Sequence, residues 1–156
     1  MGAGRKLALA LASGLGVGYV PLAPGTLGSL VALPIWWACA ELSVLAFAGV
    51  ALAVSVLAVA VAGAAEQVSA RHDAQYIVID EVAGMLITGV GVPFAWPQVV
   101  AGFVLFRLLD ILKPWPIGFL DRRVPGGLGV VLDDVAAGVI ACLVLHATRF
   151  VLNGWW

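Results

Sequence analysis

Arg107, Asp110 and Lys113 stand at i, i+3 and i+6 in the run Phe106–Arg107–Leu108–Leu109–Asp110–Ile111–Leu112–Lys113–Pro114–Trp115–Pro116. Helical spacing sets all three along one face, and Pro114 and Pro116 stop the helix behind them. An interfacial helix with local ion pairs would show the same spacing. The neighbours are apolar, however, and ionisable groups at membrane depth are functional candidates by default. A second acidic site, Asp133–Asp134, opens the apolar run at Val135. One carboxylate there would act as a helix cap, but two adjacent ones repel unless a cation lies between them. Gly126, Gly127 and Gly129 just upstream give the chain freedom to bring Asp121 and Asp133 together. A third site, Asp80–Glu81, echoes the second: Asp-Glu-Val-Ala-Gly from Asp80 reads against Asp-Asp-Val-Ala-Ala from Asp133.

These are hard oxygen donors, which suit Mg²⁺ or Mn²⁺ and argue against zinc or copper. Cys39 and Cys142 each sit alone in apolar sequence and offer neither zinc spacing nor a disulfide framework. His72, beside Asp73, can titrate near neutral pH as a base or proton carrier, although a solvated loop histidine looks the same. His146 lies in an apolar run and reads as structural. Thr26, Gly28 and Ser29, ahead of Leu30, can offer hydroxyls and backbone N–H groups to a phosphate or form an ordinary capped turn.

The elements that must carry these groups are apolar. Of 156 residues, 63% are hydrophobic and 11% charged, against roughly 45–50% and about 25% in a soluble domain. A core this small cannot hide that excess. No charge occurs from Leu7 to Ala40, Leu42 to Ala65 or Val82 to Phe106, and each run exceeds the ~20 residues that cross a bilayer. The chain is therefore expected to be an integral membrane protein of one domain, residues 1–156. A net charge of −1 excludes a basic nucleic-acid footprint.

Five apolar stretches alternate with polar clusters: Leu7–Tyr19, which leads into a turn at Pro21–Ser29; then Leu30–Ala40, Ser43–Ala65, Val82–Phe106 and Val135–Leu152. Pro93 and Pro97 would break or reverse the fourth. Eight of nine carboxylates, all but Glu41, fall within Glu66–Glu81 and Arg107–Asp134. A shared site requires these clusters and Pro24–Ser29 on one side, with reversals at Glu41 and Pro93–Pro97. Arg5, Lys6, Arg71, Arg107, Lys113, Arg122 and Arg123 then lie together, on the cytoplasmic face by the positive-inside rule, with Trp156 near the outer interface.

Pro24–Gly25–Thr26–Leu27–Gly28–Ser29, His72–Asp73, Ile79–Asp80–Glu81 and above all Phe106 to Ile117 resemble the phosphatidylglycerophosphatase A family. Asp121, Gly126–Gly127, Gly129 and Asp133–Asp134 continue the likeness, which runs from about Gly14 to Gly138. The resemblance implies an all-α fold, here a polytopic membrane helical bundle with short, broken or re-entrant helices. It implies Mg²⁺-dependent hydrolysis of phosphatidylglycerophosphate to phosphatidylglycerol and inorganic phosphate, on the route to cardiolipin, at the cytoplasmic face of a bacterial inner membrane. Carried over by motif, Asp80, Glu81, Asp110, Asp133 and Asp134 would hold the metal. Arg107 and Lys113 would neutralise phosphate, with Thr26, Ser29 and His72 assisting, and Asp121 would be a ligand or general base. No Ser or Cys sits beside an evident base, so direct attack by water is expected rather than a covalent phosphoenzyme. The rival reading is a membrane carrier for Mg²⁺ or phosphate, because intramembrane carboxylates also line ion paths.

These readings set a geometric expectation. The helix starts at Asp80 and Asp133 should face one another, with Asp110 between them and Arg107 and Lys113 toward the headgroup. Without metal, the neighbouring carboxylates should include members with raised pKa values, because like charges disfavour ionisation.

Overall fold

The computed structural model describes residues 2–69 and 74–151. Arg71, His72, Asp73 and the tryptophans at 155 and 156 lie outside the described residues. The described chain is all helical: α1 (Ala3–Ala12), a 3-10 turn at Val17–Tyr19, α2 (Pro24–Cys39), α3 (Val44–Ser69), α4 (Ile79–Thr88), α5 (Trp96–Leu112), α6 (Ile117–Arg123) and α7 (Gly126–Val151).

Two helices, α3 and α7, are long and apolar enough to cross a bilayer. At 26 residues each, they extend ~39 Å, against ~30 Å of hydrocarbon. Their outward faces carry Leu45, Leu52, Val56 and Leu143, each more than 60% exposed. Such a surface belongs in lipid. The chain is a helical membrane protein.

The centre of the bundle is a short, largely buried helix. Helix α4 has ten residues, of which Ile79, Asp80, Val82, Ala83, Gly84, Met85, Leu86 and Thr88 are buried. It packs against α2, α3, α5 and above all α7. At ~15 Å it cannot cross alone. The chain turns back through the loop after Thr88, and Pro97 falls in the first turn of α5, where its missing N–H costs nothing. The predicted interruption of the Val82–Phe106 run is thus real. Trp36 fastens this reversal by donating its indole Nε1–H to the Val92 carbonyl at 3.2 Å. Gly89 makes room for that ring, since a Cβ there would lie 2.6 Å from it.

Reversals at residues 40–43 and 89–95 put the N-terminal ends of α2, α4 and α7 and the C-terminal ends of α3 and α5 at one end of the bundle. Gly28 there abuts Val78, and Gly63 abuts Gly127. At the opposite end, Glu41 shares a cleft of about 520 Å³ with Trp37, Pro93 and Phe94. Three sequence expectations need correction. Pro21–Ser29 is not a turn throughout: α2 begins at Pro24, a residue preorganised for a first helical turn. The last helix begins at Gly126 rather than Val135, so Asp133 and Asp134 sit two turns inside it. The glycines upstream are helical because they permit close packing: a Cβ on Gly127 would collide with Val59 and Gly63 of α3. Finally, Lys113 does not continue the α5 face. Pro114 follows it, and Lys113 leaves the helix at φ 43°, in the left-handed region.

This arrangement puts residues 41 and 122 at opposite ends of the bundle, and the positive-inside rule predicts that the end carrying 41 faces outward. With cysteine placed at position 41 or 122 in a background lacking Cys39 and Cys142, an impermeant thiol reagent added to intact cells should label 41 and spare 122. Labelling at both positions, or at 122 alone, would overturn the topology.

Candidate functional site

Carboxylates from three separate stretches of sequence converge at the α2–α4–α7 end. Asp80 and Glu81 come from the first turn of α4, Asp110 from the last turn of α5, and Asp133 and Asp134 from α7. They form two groups in which oxygens lie within 4.8 Å of one another, Asp80–Glu81–Asp134 and Asp110–Asp133–Asp134. Asp134 belongs to both. Asp80, Asp133 and Asp134 are 5%, 4% and 3% exposed.

The crossing of α4 and α7 is what brings them together. Gly84 lies one turn after Asp80, and Gly138 one turn after Asp134. A Cβ on Gly138 would collide with the Gly84 carbonyl, and one on Gly84 would sit 2.7 Å from the Asp134 carbonyl and 2.5 Å from the Phe106 ring. Small residues let backbones touch, which is how helices associate where lipid removes the hydrophobic drive between them. The two glycines were not singled out as packing residues by the sequence reading. The signal was present one register away from the echo noted there. Aligning Asp80 with Asp134, rather than with Asp133, pairs Gly84 with Gly138.

Two cations pair with the carboxylates of the cluster. Arg107 Nη1 donates to Asp110 Oδ2 at 2.6 Å and lies 3.8 Å from Glu81 Oε1. Lys113, freed by its left-handed backbone, donates from Nζ to Asp121 Oδ1 and Asp133 Oδ2, both at 2.6 Å. Burial disfavours the Lys113 ammonium, yet the hydrogen bonds to Asp121 and Asp133 outweigh it and hold its pKa above the ordinary lysine value. At Glu81 burial dominates and raises the pKa. A hydrogen bond from Asp80 and the charge of Arg107 offset this in part, while Asp110 adds to it. Desolvation is thus the main cause at Glu81, and like-charge repulsion the lesser one.

Among the described residues, Glu81 Oε2 and Asp133 Oδ1 are buried without a hydrogen-bond partner. A buried carboxylate oxygen left unpaired is costly. These orphaned atoms, in groups made of carboxylates alone, fit a hard divalent cation.

Helix α2 meets the cluster at its N-terminus, where no side chain caps the first turn. A Cβ on Gly25 would collide with Glu81 Oε1 and lie 3.0 Å from Arg107 Nη2, so a side chain there would have to displace the Glu81 carboxylate and the Arg107 guanidinium. Gly25 was quoted in the sequence motif but given no role. Its neighbour Thr26 is half-buried in that turn. Ser29, one turn on, is fully buried and donates its hydroxyl to the Gly25 carbonyl at 3.0 Å, so it faces its own backbone. Asp121 is on α6, with its side chain 37% exposed, and meets the cluster through Lys113. The site residues Asp80, Glu81, Arg107, Asp110, Lys113, Asp121, Asp133 and Asp134 are therefore neighbours. His72 lies outside the described residues.

Comparison with known proteins follows the same stretches. The family model described as phosphatidylglycerophosphatase A matches residues 10–149. The phosphatidylglycerophosphatase A of Escherichia coli (strain K12) is 40% identical over 146 residues, covering 93% of this chain and 83% of the relative. That of Haemophilus influenzae is 40% identical over 80 residues, about half of each chain. A protein of Bacteroides thetaiotaomicron, provisionally named phosphatidylinositol-3-phosphatase, is 34% identical across 94% of this chain and 96% of its own length. No solved structure matches.

Proposed function

Because the chain belongs to the phosphatidylglycerophosphatase A family, we propose that it is a Mg²⁺-dependent membrane phosphatase. In this reading it hydrolyses phosphatidylglycerophosphate to phosphatidylglycerol and inorganic phosphate, within phospholipid synthesis, with its site on the cytoplasmic side of a bacterial inner membrane. The observation that carries the reading is the meeting of five carboxylates from three stretches of sequence with Arg107 and Lys113 at one end of the bundle.

Asp80, Glu81, Asp110, Asp133 and Asp134 would hold the metal. Bound there, Mg²⁺ supplies charge neutralisation, polarisation of the phosphoryl group and a lowered pKa for water. The rest follows from the chain. Arg107 and the uncapped start of α2 converge where a phosphate can sit, since guanidinium and free helix N–H groups both favour anions. Thr26 adds a hydroxyl to that turn. Water attacks phosphorus, the bond to the glycerol oxygen breaks, and a proton must reach that oxygen. Lys113 and Asp121, joined by a 2.6 Å hydrogen bond, stand at the more open side, where Lys113 can relieve the developing charge and Asp121 can relay the proton.

The test is phosphate release by the purified full chain in detergent micelles. Phosphatidylglycerophosphate should be cleaved with Mg²⁺, and EDTA should lower turnover by at least about a hundredfold, restored by added Mg²⁺. Faster cleavage of phosphatidylinositol-3-phosphate would move the substrate to that headgroup. A Mg²⁺ or phosphate carrier would release no phosphate from either.

A further inference from the structure

Resting on that metal reading, we propose that the site takes two divalent ions rather than one, with Asp134 shared between them. One ion belongs to Asp80–Glu81–Asp134 and the other to Asp110–Asp133–Asp134.

The grouping of oxygens supports it. Asp80 and Glu81 come within 4.8 Å of Asp134, as do Asp110 and Asp133, but the two outer pairs form no common group. Oxygens around one Mg²⁺ lie about 2.0–2.1 Å from the ion, hence no more than roughly 4.2 Å apart. A single ion therefore cannot gather all five residues, whereas each group needs only a slight contraction.

Each group also holds its own orphaned atom. Glu81 Oε2 in the first and Asp133 Oδ1 in the second are buried without a hydrogen-bond partner. Asp133 is the sharper case, because its side chain is only 6% exposed. Its other oxygen is engaged by Lys113 at 2.6 Å, which leaves Oδ1 for the interior of the cluster. The second group thus has a committed outer side and an open inner one. Arg107 gives the first group the same form, lying 3.8 Å from Glu81 Oε1 while Glu81 Oε2 stays orphaned.

Asp121 is the carboxylate that takes no ion: it belongs to neither group, and Lys113 already occupies the space between it and Asp133.

Titrating MnCl₂ into the purified full chain in detergent, without substrate, tests this by electron paramagnetic resonance. The expected result is two Mn²⁺ per chain, with spin coupling between ions about 3.5–4 Å apart. Asp110→Asn and Asp80→Asn, each checked for native helix content, should each leave one ion and abolish the coupling. One Mn²⁺ per wild-type chain would overturn the shared pair and leave the metal-dependent phosphatase standing. Two uncoupled ions would overturn the sharing by Asp134. No bound Mn²⁺ would overturn both readings.

Discussion

Asp80→Asn, Asp110→Asn, Asp133→Asn and Asp134→Asn should each lower phosphate release by at least about 10³-fold, the scale seen when one member of a catalytic unit is removed. The amide keeps the shape of the side chain and loses the charge that holds a hard cation. These residues act as one cluster, so a double replacement should cost little more than a single one. Circular dichroism of each variant should match the parent, because the amide keeps the shape of the side chain and its oxygen can still accept from Arg107 or Lys113. Glu41→Gln, at the opposite end of the bundle beside Trp37 and Pro93, should change turnover less than about twofold. Near-normal turnover at saturating Mg²⁺ in any of the four would remove that residue from the metal site.

Adding one methyl group at Gly138 should be nearly as damaging, although Gly138 touches no substrate. Its Cβ would meet the Gly84 carbonyl, which is backbone and cannot swing aside. Overpacking of this kind costs about 1–3 kcal/mol. Its larger effect is to push α4 from α7 one turn away from Asp80 and Asp134. A misplacement of about 1 Å in a catalytic constellation costs on the order of 10²-fold, so Gly138→Ala should lose about two orders of magnitude in turnover. Gly49→Ala is the matched control, because nothing lies within 4 Å of its Cβ position and alanine favours the helix. Full activity in Gly138→Ala would show that this crossing does not set the site.

Much of this arrangement was legible because charge is so scarce in the sequence. Where long runs carry no charge, the few carboxylates stand out, and Asp80, Glu81, Asp110, Asp133 and Asp134 are legible as candidates in the sequence alone. The reversals at Glu41 and Pro93–Pro97 followed from chain length and from proline. Helix boundaries were harder. Gly126, Gly127 and Gly129 read as a flexible lead-in, because glycine lowers helix propensity. Contact with α3 overrides that preference, and such contact is invisible locally. Lys113 was assigned to the face of α5 by spacing alone. Its true direction depends on a left-handed backbone at residue 113 and on two partners, Asp121 and Asp133, eight and twenty residues downstream. Gly84 and Gly138 were missed for a related reason: close approach between helices is a property of pairs.

The central position of α4 also bears on how the protein is made. Its main packing partner, α7, is the last of the described helices. Roughly sixty residues separate the end of α4 from the end of α7, and at about 5–20 residues per second the ribosome needs on the order of 3–12 s to supply them. Throughout that interval the acidic first turn of α4 has neither Asp134 nor the α7 backbone beside it. An isolated ten-residue helix bearing two carboxylates is a poor candidate for independent membrane insertion. Helix α4 can lean on α2 and α3 before then, but its largest packing partner and Asp134 reach it only with α7, so a nascent chain halted at Arg123 leaves the acidic cluster incomplete.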